Sequence, residues 1–147
     1  MPVNAEFVGR EYPPGAPYVV SAAKIREFAD AVGATDPAHR DPEAARARGY
    51  ADVIAPPTFA VLLSQQCDAA FYLDPQAGVD LARLVHGEQF FEHHRPLVAG
   101  DAVTGRMRVD SVRTVGGHTM VGTSVVLSVG ADPVCTTRST IVIRGED

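Results

Sequence analysis

Residues 55–73 read APPTFAVLLSQQCDAAFYL, and the part from Thr58 to Leu73 is predicted to form one long helix. Two prolines precede this helix, and the Asp74-Pro75 dipeptide closes it. Because the segment is apolar nearly all round, we expect it to be buried rather than to lie on a surface. A helix of this length would run about 24 Å, roughly the width of a small sheet.

The chain beyond this helix is predicted to consist of successive strands. A long extended run covers 83–94, and a clear alternation of apolar and polar residues starts at Val103. Glycine-containing turns precede two further strands, which are expected at Thr119–Val129 and Val134–Arg144. We therefore predict one α+β domain spanning residues 1–147, in which an antiparallel sheet wraps around the central helix.

Two smaller helices are predicted before the central one. Ser21 is a plausible N-cap for Ala22–Val32, whose apolar residues recur at helical spacing, and Gly33 ends that helix. Asp41 is a typical cap for a short helix over 43–48 with a proline in its first turn.

The composition excludes two classes of partner. The 147 residues include 13 basic and 18 acidic side chains, a formal charge of −5 and no run of Lys or Arg. Nucleic-acid backbones and acidic membrane surfaces need clustered positive charge, so we expect neither as a partner. The first residues lack the features of a signal peptide, and no apolar stretch approaches the roughly 20 residues of a membrane span. We expect a soluble, cytoplasmic protein.

The loop between the two smaller helices contains the densest cluster of reactive residue types. It places Asp36, His39 and Asp41 close together between prolines. A histidine that titrates near neutrality, held near a carboxylate on a stiff loop, is what general acid–base catalysis requires. Two structural roles compete with this interpretation, because Asp-Pro dipeptides often start turns and a loop histidine is often simply exposed.

A second cluster, at 86–94, contains three histidines and two glutamates and suggests a metal site. Strand alternation would place one set of side chains on a single face, namely His86, Glu88, Phe90, Glu92 and His94. No supporting ligand motif accompanies them, so we predict no metal here. The favoured interpretation is a solvated strand edge with some residues at a subunit contact. Asp101 is expected to bond the turn that follows.

The start of the central helix is the third candidate feature. Unpaired N–H groups at a helix start can stabilise a carbonyl oxygen that becomes negative. Pro56 and Pro57 have no N–H, so any donors must come from Thr58 onward. The alternative is that the prolines only shape the first turn and that Thr58 caps it. Both interpretations stay open.

The order and spacing of several short motifs resemble the MaoC-like hot-dog family, which contains (R)-specific enoyl-CoA hydratases and (3R)-hydroxyacyl-ACP dehydratases. The nearest likeness is to the actinobacterial branch that includes the A-type subunits of heteromeric dehydratases. The similarity covers nearly the whole chain and rests on KIREFADAVG (24–33), DPAH (36–39), GYAD (49–52), APPTF (55–59), HGEQ (86–89) and RP (95–96) with GD (100–101).

The resemblance implies a hot-dog fold and a 3-hydroxyacyl or enoyl thioester substrate on CoA or acyl carrier protein. It implies Asp36 and His39 as catalytic residues, and substrate binding by Thr58, Phe59 and His86. No metal and no other cofactor is expected, because loss or addition of water needs only acid–base groups. A homodimer or a heterodimer with another hot-dog chain is expected, because a single domain leaves a sheet edge open.

The chain departs from the family pattern at two positions. The catalytic loop of the family reads Gly-Asp-x-Asn-Pro-x-His, and its Asp falls on Ala34 and its Asn on Asp36 in this chain. The family's glycine at the helix start falls on Pro56. Either Asp36 replaces the missing carboxylate, or the chain is an acyl-binding or stabilising subunit whose partner supplies the Asp/His pair.

A hot-dog thioesterase is a third possibility, and it would require a carboxylate on the central helix. Asp68 is the one carboxylate between Thr58 and Leu73, and it comes late in that segment. We therefore rank this activity below the other two.

Overall fold

The helices of this chain begin and end close to the residues that the sequence indicates. The computed structural model describes residues 2–146 and contains three α-helices there: α1 (Ala22–Val32), α2 (Pro42–Ala47) and α3 (Ala60–Tyr72). The Ser21 hydroxyl accepts the Lys24 N–H at 3.0 Å, and Gly33 ends α1 with a φ of 69°. The predicted limits of α1 are thus confirmed, and so is the cap of α2 by Asp41.

The central helix α3 is shorter than predicted because its first turn has another geometry. A 3-10 turn occupies Pro57–Phe59, ahead of the α-helix. The Phe59 N–H bonds the Pro56 carbonyl at 2.9 Å, three residues back, which is the bond that defines a 3-10 turn. Because the two prolines donate no N–H, this turn is fixed by few backbone bonds.

Six antiparallel strands form one sheet, which confirms the predicted α+β class. They are β1 (Glu11–Tyr12), β2 (Tyr18–Val19), β3 (Leu84–His93), β4 (Ala102–Val115), β5 (His118–Val129) and β6 (Asp132–Ile143). The spatial order is β1-β4-β5-β6-β3, and β2 also pairs with β4. The long strands β4, β5 and β6 are joined in sequence by hairpins, as the turn signals predict.

The core lies between α3 and the inner face of the sheet. Phe59, Leu63 and Phe71 are buried from the helix side. Helix and sheet approach so closely that a Cβ on Gly105 of β4 would collide with the Cys67 sulfur. Burial of this face supplies most of the stability of α3, because apolar area removed from water contributes about 25 cal/mol per Å².

The prediction that His86 shares a face of β3 with Glu88, Phe90 and Glu92 is wrong, because a β-bulge interrupts the strand, whereas those three residues do lie on one face. His86 lies opposite Ile141, but Glu88 lies opposite Thr140, so Gly87 is the extra residue. One extra residue reverses the phase of the side chains that follow it. His86 therefore shares the inner face with Gln89, Phe91 and His93, whereas Glu88, Phe90 and Glu92 lie on the outer face.

Strand β3 forms one edge of the sheet within residues 2–146. Its Val85 and Phe90 side chains are 43% and 54% exposed. No helix in the described part of the chain is long and apolar enough to cross a membrane.

Candidate active site

A cavity of about 410 Å³ lies where the turn that carries His39, the start of the central helix and the end of β3 meet. Its lining includes Asp36, His39, Pro57, His93 and Arg95. The fold thus brings the two predicted catalytic residues into one cavity. It also adds side chains from the distant segment 93–96, because β3 ends beside the helix start.

His39 is held with a single defined tautomer. It ends the 3-10 turn Pro37–His39 and is 6% exposed. Its Nδ1 lies 2.7 Å from the Ile54 carbonyl, and a carbonyl can only accept, so Nδ1 carries the proton. In the neutral ring, Nε2 then carries a lone pair that can accept a proton. Among the described residues Nε2 has no hydrogen-bond partner, and it is not one of the fully buried atoms.

Asp36 shares the cavity with His39 but is bonded elsewhere. Its carboxylate accepts the Ala38 N–H at 3.0 Å and caps the turn that carries His39. Arg48, which directly follows α2, donates to both carboxylate oxygens, at 2.7 and 2.8 Å. The Arg48 hydrogen bonds, and then the Ala38 N–H, hold the pKa of Asp36 below its ordinary value. The His39 N–H bonds the Asp36 carbonyl at 3.1 Å, but no hydrogen bond joins the two side chains in residues 2–146.

Position 34, where the family pattern has an aspartate, follows the end of α1. The Ala34 N–H bonds the Ala29 carbonyl at 2.8 Å, so this residue belongs to the hydrogen-bonded turn that ends α1. An alanine side chain offers no acid–base group. The chain therefore presents no carboxylate from this position to the cavity.

The start of the central helix leaves one peptide N–H free. Pro56 precedes the 3-10 turn and no side chain of residues 2–146 caps it, so the capping role considered for Thr58 is wrong. The Thr58 N–H bonds no acceptor in the same part of the chain, and Thr58 is exposed. The Phe59 side chain is fully buried against Phe28, with ring centroids 5.4 Å apart. The exposed Thr58, with its free N–H and its hydroxyl, is thus the residue of this turn that is open to a ligand.

His93 is a cavity residue that the sequence reasoning placed at a solvated strand edge. Its Nε2 lies 2.7 Å from the Pro57 carbonyl, and its ring stacks on Phe91 with centroids 6.0 Å apart and an interplanar angle of 14°. The Nδ1 atom is buried without a partner among the described residues. The bulge at Gly87 puts His93 on the same face as His86, and the glycine inside the strand is the one local signal of that shift.

The turn after β3 is fixed by an ion pair. Arg95 donates to both oxygens of Asp101, at 2.8 and 3.1 Å, and Asp101 also accepts the Val98 N–H at 2.8 Å. The predicted bonding of this turn by Asp101 is confirmed. The pair holds in place the stretch of chain that closes one side of the cavity.

His86 lies in a different cavity from His39. That second cavity, of about 240 Å³, is also lined by Asp68 and Tyr72. His86 Nε2 donates to the Gln89 side-chain oxygen at 3.1 Å, and the Ser139 hydroxyl donates to the same oxygen at 2.8 Å. Burial raises the pKa of Asp68 to about 7, an effect that the nearby Thr123 hydroxyl partly opposes.

Comparison with known proteins agrees with this architecture. The family model described as FAS1-like, dehydratase domain region, matches residues 6–137. A UPF0336 protein of Saccharopolyspora erythraea is 51% identical over 146 residues, which are 99% of this chain and 94% of that protein. A UPF0336 protein of Clavibacter michiganensis is 50% identical over 148 residues, covering 100% and 99% of the two chains.

Solved structures confirm the hot-dog fold and the MaoC-like resemblance. A chain of the C-terminally truncated HadBC (3R-hydroxyacyl-ACP dehydratase) complex from Mycobacterium tuberculosis superposes with a TM-score of 0.85 and 28% identity, covering 92% of this chain and 96% of that one. A MaoC-like dehydratase superposes with a TM-score of 0.87 and 32% identity, over 96% of this chain and 43% of that one. The chain belongs to the FAS1-like dehydratase domain region family.

Proposed function

We propose that this chain is a subunit of a (3R)-hydroxyacyl thioester dehydratase, which acts as an enoyl thioester hydratase in reverse, in fatty-acid metabolism. Its substrate is an acyl group on CoA or acyl carrier protein. The family match and the similarity to a chain of a dehydratase complex support this assignment. The chain binds the acyl thioester, and a partner hot-dog chain supplies the Asp/His pair that completes catalysis.

Dehydration breaks two bonds and moves two protons. A base takes the proton from C2, the C3–O bond breaks, and an acid protonates the departing hydroxyl to give water. In the self-sufficient alternative, His39 takes or returns one proton at Nε2, since Nδ1 is committed to the Ile54 carbonyl. The Thr58 N–H, which has no acceptor in residues 2–146, is the proposed donor to the thioester oxygen as that oxygen gains negative charge.

The observation that carries the subunit role is the pairing of Asp36 with Arg48. A carboxylate that caps a turn and bonds a guanidinium twice is a poor base, and this one has no direct bond to the His39 ring. With Ala34 at the family's Asp position, the chain offers His39 no carboxylate of its own. Asp36 in this proposal positions the turn that carries His39.

The open edge of the sheet supports the partner assignment. The unpaired side of β3 presents backbone groups and the exposed Val85 and Phe90 to a second strand. The cavity lies beside the end of this strand, at His93 and Arg95. A second hot-dog chain paired along β3, identical or different, would thus lie next to the proposed site.

A self-sufficient enzyme that uses Asp36 and His39 is the second candidate, favoured by the shared cavity. Hydration of crotonyl-CoA, measured as the loss of the enoyl absorbance, separates the two candidate functions. We expect the chain alone to be inactive and to gain activity when co-expressed with a second hot-dog chain encoded beside it. Activity of the chain alone that is abolished by both Asp36→Ala and His39→Ala would overturn the subunit role.

The substitution Ala34→Asp tests whether the rest of the site is assembled. With a carboxylate at this position, the chain alone should hydrate crotonyl-CoA about 10²-fold faster than the Ala34→Asn variant, within the range for a general acid or base. Ala34→Asn is the matched control, because it has the same shape and cannot exchange a proton. An equal rate in both variants would show that the missing carboxylate is not what limits this chain.

A further inference from the structure

The second cavity, of about 240 Å³ between α3, β3 and β6, combines an apolar wall with buried polar groups. Leu84 and Ile141 form part of the apolar wall, and Asp68, His86 and Ser139 supply polar groups. His86 is exposed, whereas Asp68 and Ser139 are buried. The cavity therefore leads from a surface histidine on the edge strand to a carboxyl group in the interior.

A hydrogen-bond network at this cavity leaves two acceptors free. The Gln89 amide nitrogen donates to the Arg138 carbonyl at 3.2 Å, which fixes the orientation of the amide group. Its oxygen accepts from His86 Nε2 at 3.1 Å and from the Ser139 hydroxyl at 2.8 Å. His86 Nδ1 is then a lone pair in the neutral ring, and the Ser139 oxygen has already donated its one proton. Both atoms can therefore only accept from a ligand.

Asp68 adds a carboxyl group that nothing in residues 2–146 neutralises. It is 1% exposed, and neither of its oxygens has a hydrogen-bond partner in that part of the chain. Burial raises its pKa to about 7, so both the neutral and the ionised form exist near neutral pH. Among the described residues no Lys or Arg lines this cavity, and its other titratable side chains are Tyr72 and His86. The ionised carboxylate therefore lacks a cation that pairs with it.

We propose that this cavity binds a primary alkylammonium group, which donates to Asp68, to His86 Nδ1 and to the Ser139 oxygen. An ammonium group has three donors and no acceptor, which matches these three acceptors. The apolar wall receives the alkyl stem, as protein surfaces do for the stem of lysine. The inference does not depend on the proposed function, because this cavity is separate from the one that contains His39.

Two sources can supply this group, namely a free small amine and a lysine of a partner chain. The second source is available because β3, which contributes His86, is an edge of the sheet within residues 2–146. A second copy of this chain offers only Lys24, the single lysine of the sequence. The Lys24 ammonium group lies 3.4 Å from the Glu27 carboxylate on α1.

The first test titrates the full chain with n-butylammonium and with 1-butanol, which has the same number of heavy atoms and no charge. Amide chemical shifts in NMR spectra report binding. We expect n-butylammonium to bind about 10-fold more tightly at pH 8, because hydrogen bonds to charged groups are the stronger ones. Equal affinities, or no binding of n-butylammonium, would overturn the inference.

Substitution and pH identify the carboxyl group that is responsible. Asp68→Asn keeps the shape and removes the charge, so its affinity for n-butylammonium should fall about 10-fold at pH 8. The matched control, Asp30→Asn, removes an aspartate that is 71% exposed on α1 and should bind as the wild type does. The wild type should also bind more tightly at pH 8 than at pH 5, because Asp68 ionises between these values. Asp68→Asn that binds as tightly as the wild type would overturn the inference. If that variant does not fold, a wild-type affinity that is equal at both pH values would do so.

The complex with a co-expressed second hot-dog chain distinguishes the two sources. If a lysine of the partner fills the cavity, the isolated chain should bind n-butylammonium and the complex should not. Asp68→Asn should then weaken subunit association about 10²-fold, as the loss of one member of a buried charge pair does. If the group is a free amine, the complex should bind n-butylammonium as the isolated chain does. Binding by neither form would overturn the inference, whereas a complex that does not hydrate crotonyl-CoA would overturn the proposed function alone.

Discussion

The carboxyl groups of Asp36 and Asp68 stand in opposite environments, and neither is bonded to the His39 ring in residues 2–146. Asp36 lies on a surface turn, has 36% of its side chain exposed and bonds Arg48 with both oxygens. Asp68 lies on α3 and is 1% exposed. Neither of its oxygens has a hydrogen-bond partner in the described part of the chain.

The two carboxyl groups consequently have pKa values that are displaced in opposite directions. Arg48 holds the pKa of Asp36 below its ordinary value, and burial raises the pKa of Asp68 to about 7. An acid–base partner for His39 needs both contact with the site and a pKa near neutrality. Asp36 has the first property and Asp68 has the second. This separation supports the proposal that the chain binds a thioester and does not turn it over alone.

The largest effect on the free energy of unfolding is expected from Asp68→Asn. In the unfolded chain Asp68 ionises near pH 4, whereas in the folded protein it keeps its proton up to about pH 7. Folded protein therefore binds the extra proton between these values, and its stability falls as pH rises from about 4 to 7. A shift of this size corresponds to about 4 kcal/mol. The Asn variant should lack that loss and be more stable than wild type at pH 8.

Urea unfolding at pH 5 and at pH 8 measures this difference. The control is Asp30→Asn, which removes an aspartate whose side chain is 71% exposed on helix α1. The control should not change the slope of stability against pH by a comparable amount. A wild type and an Asp68→Asn variant with parallel pH profiles would show that Asp68 is not held neutral.

The sequence predicted features that local signals determine, and it could not predict contacts between residues far apart in the chain. Helix α1 was predictable because Ser21 and Gly33 are local signals that act within one turn. The bulge at Gly87 was not, because it depends on how β3 registers with β6. The hydrogen bond from His93 to the Pro57 carbonyl joins residues 36 positions apart, and the pairing of Arg48 with Asp36 spans 12 positions. Such contacts follow from the packed fold and leave no trace in local spacing.

Asp36→Asn is expected to change the free energy of unfolding less than Asp68→Asn does, and to lower it at neutral pH rather than raise it. Asparagine keeps an oxygen to cap the turn at Ala38 but loses the charge that pairs with Arg48. Because the pKa of Asp36 is lowered in the folded protein, its ion pair stabilises the chain above about pH 4 and is lost as pH falls through the folded value. The wild type should exceed the variant in stability at pH 7 and match it in acid. A difference that persists unchanged at low pH would assign the effect to the cap and not to the charge.

The smallest effect is expected from Arg48→Gln, which leaves both aspartates in place and removes the cation from one of them. Stability should change little, because exposed ion pairs contribute weakly. The pKa of Asp36 should nevertheless rise toward its ordinary value, since the Arg48 hydrogen bonds are the main cause of its lowering. Carbon-13 NMR titration of the carboxyl groups measures this directly. Arg46→Gln is the matched control, because Arg46 lies on α2 two residues before Arg48 and bonds the Ala51 carbonyl at 3.4 Å instead. If both variants leave the pKa of Asp36 unchanged, the Ala38 N–H and not Arg48 sets that pKa. The carboxylate would then be more available as an acid–base partner of His39 than its pairing with Arg48 implies.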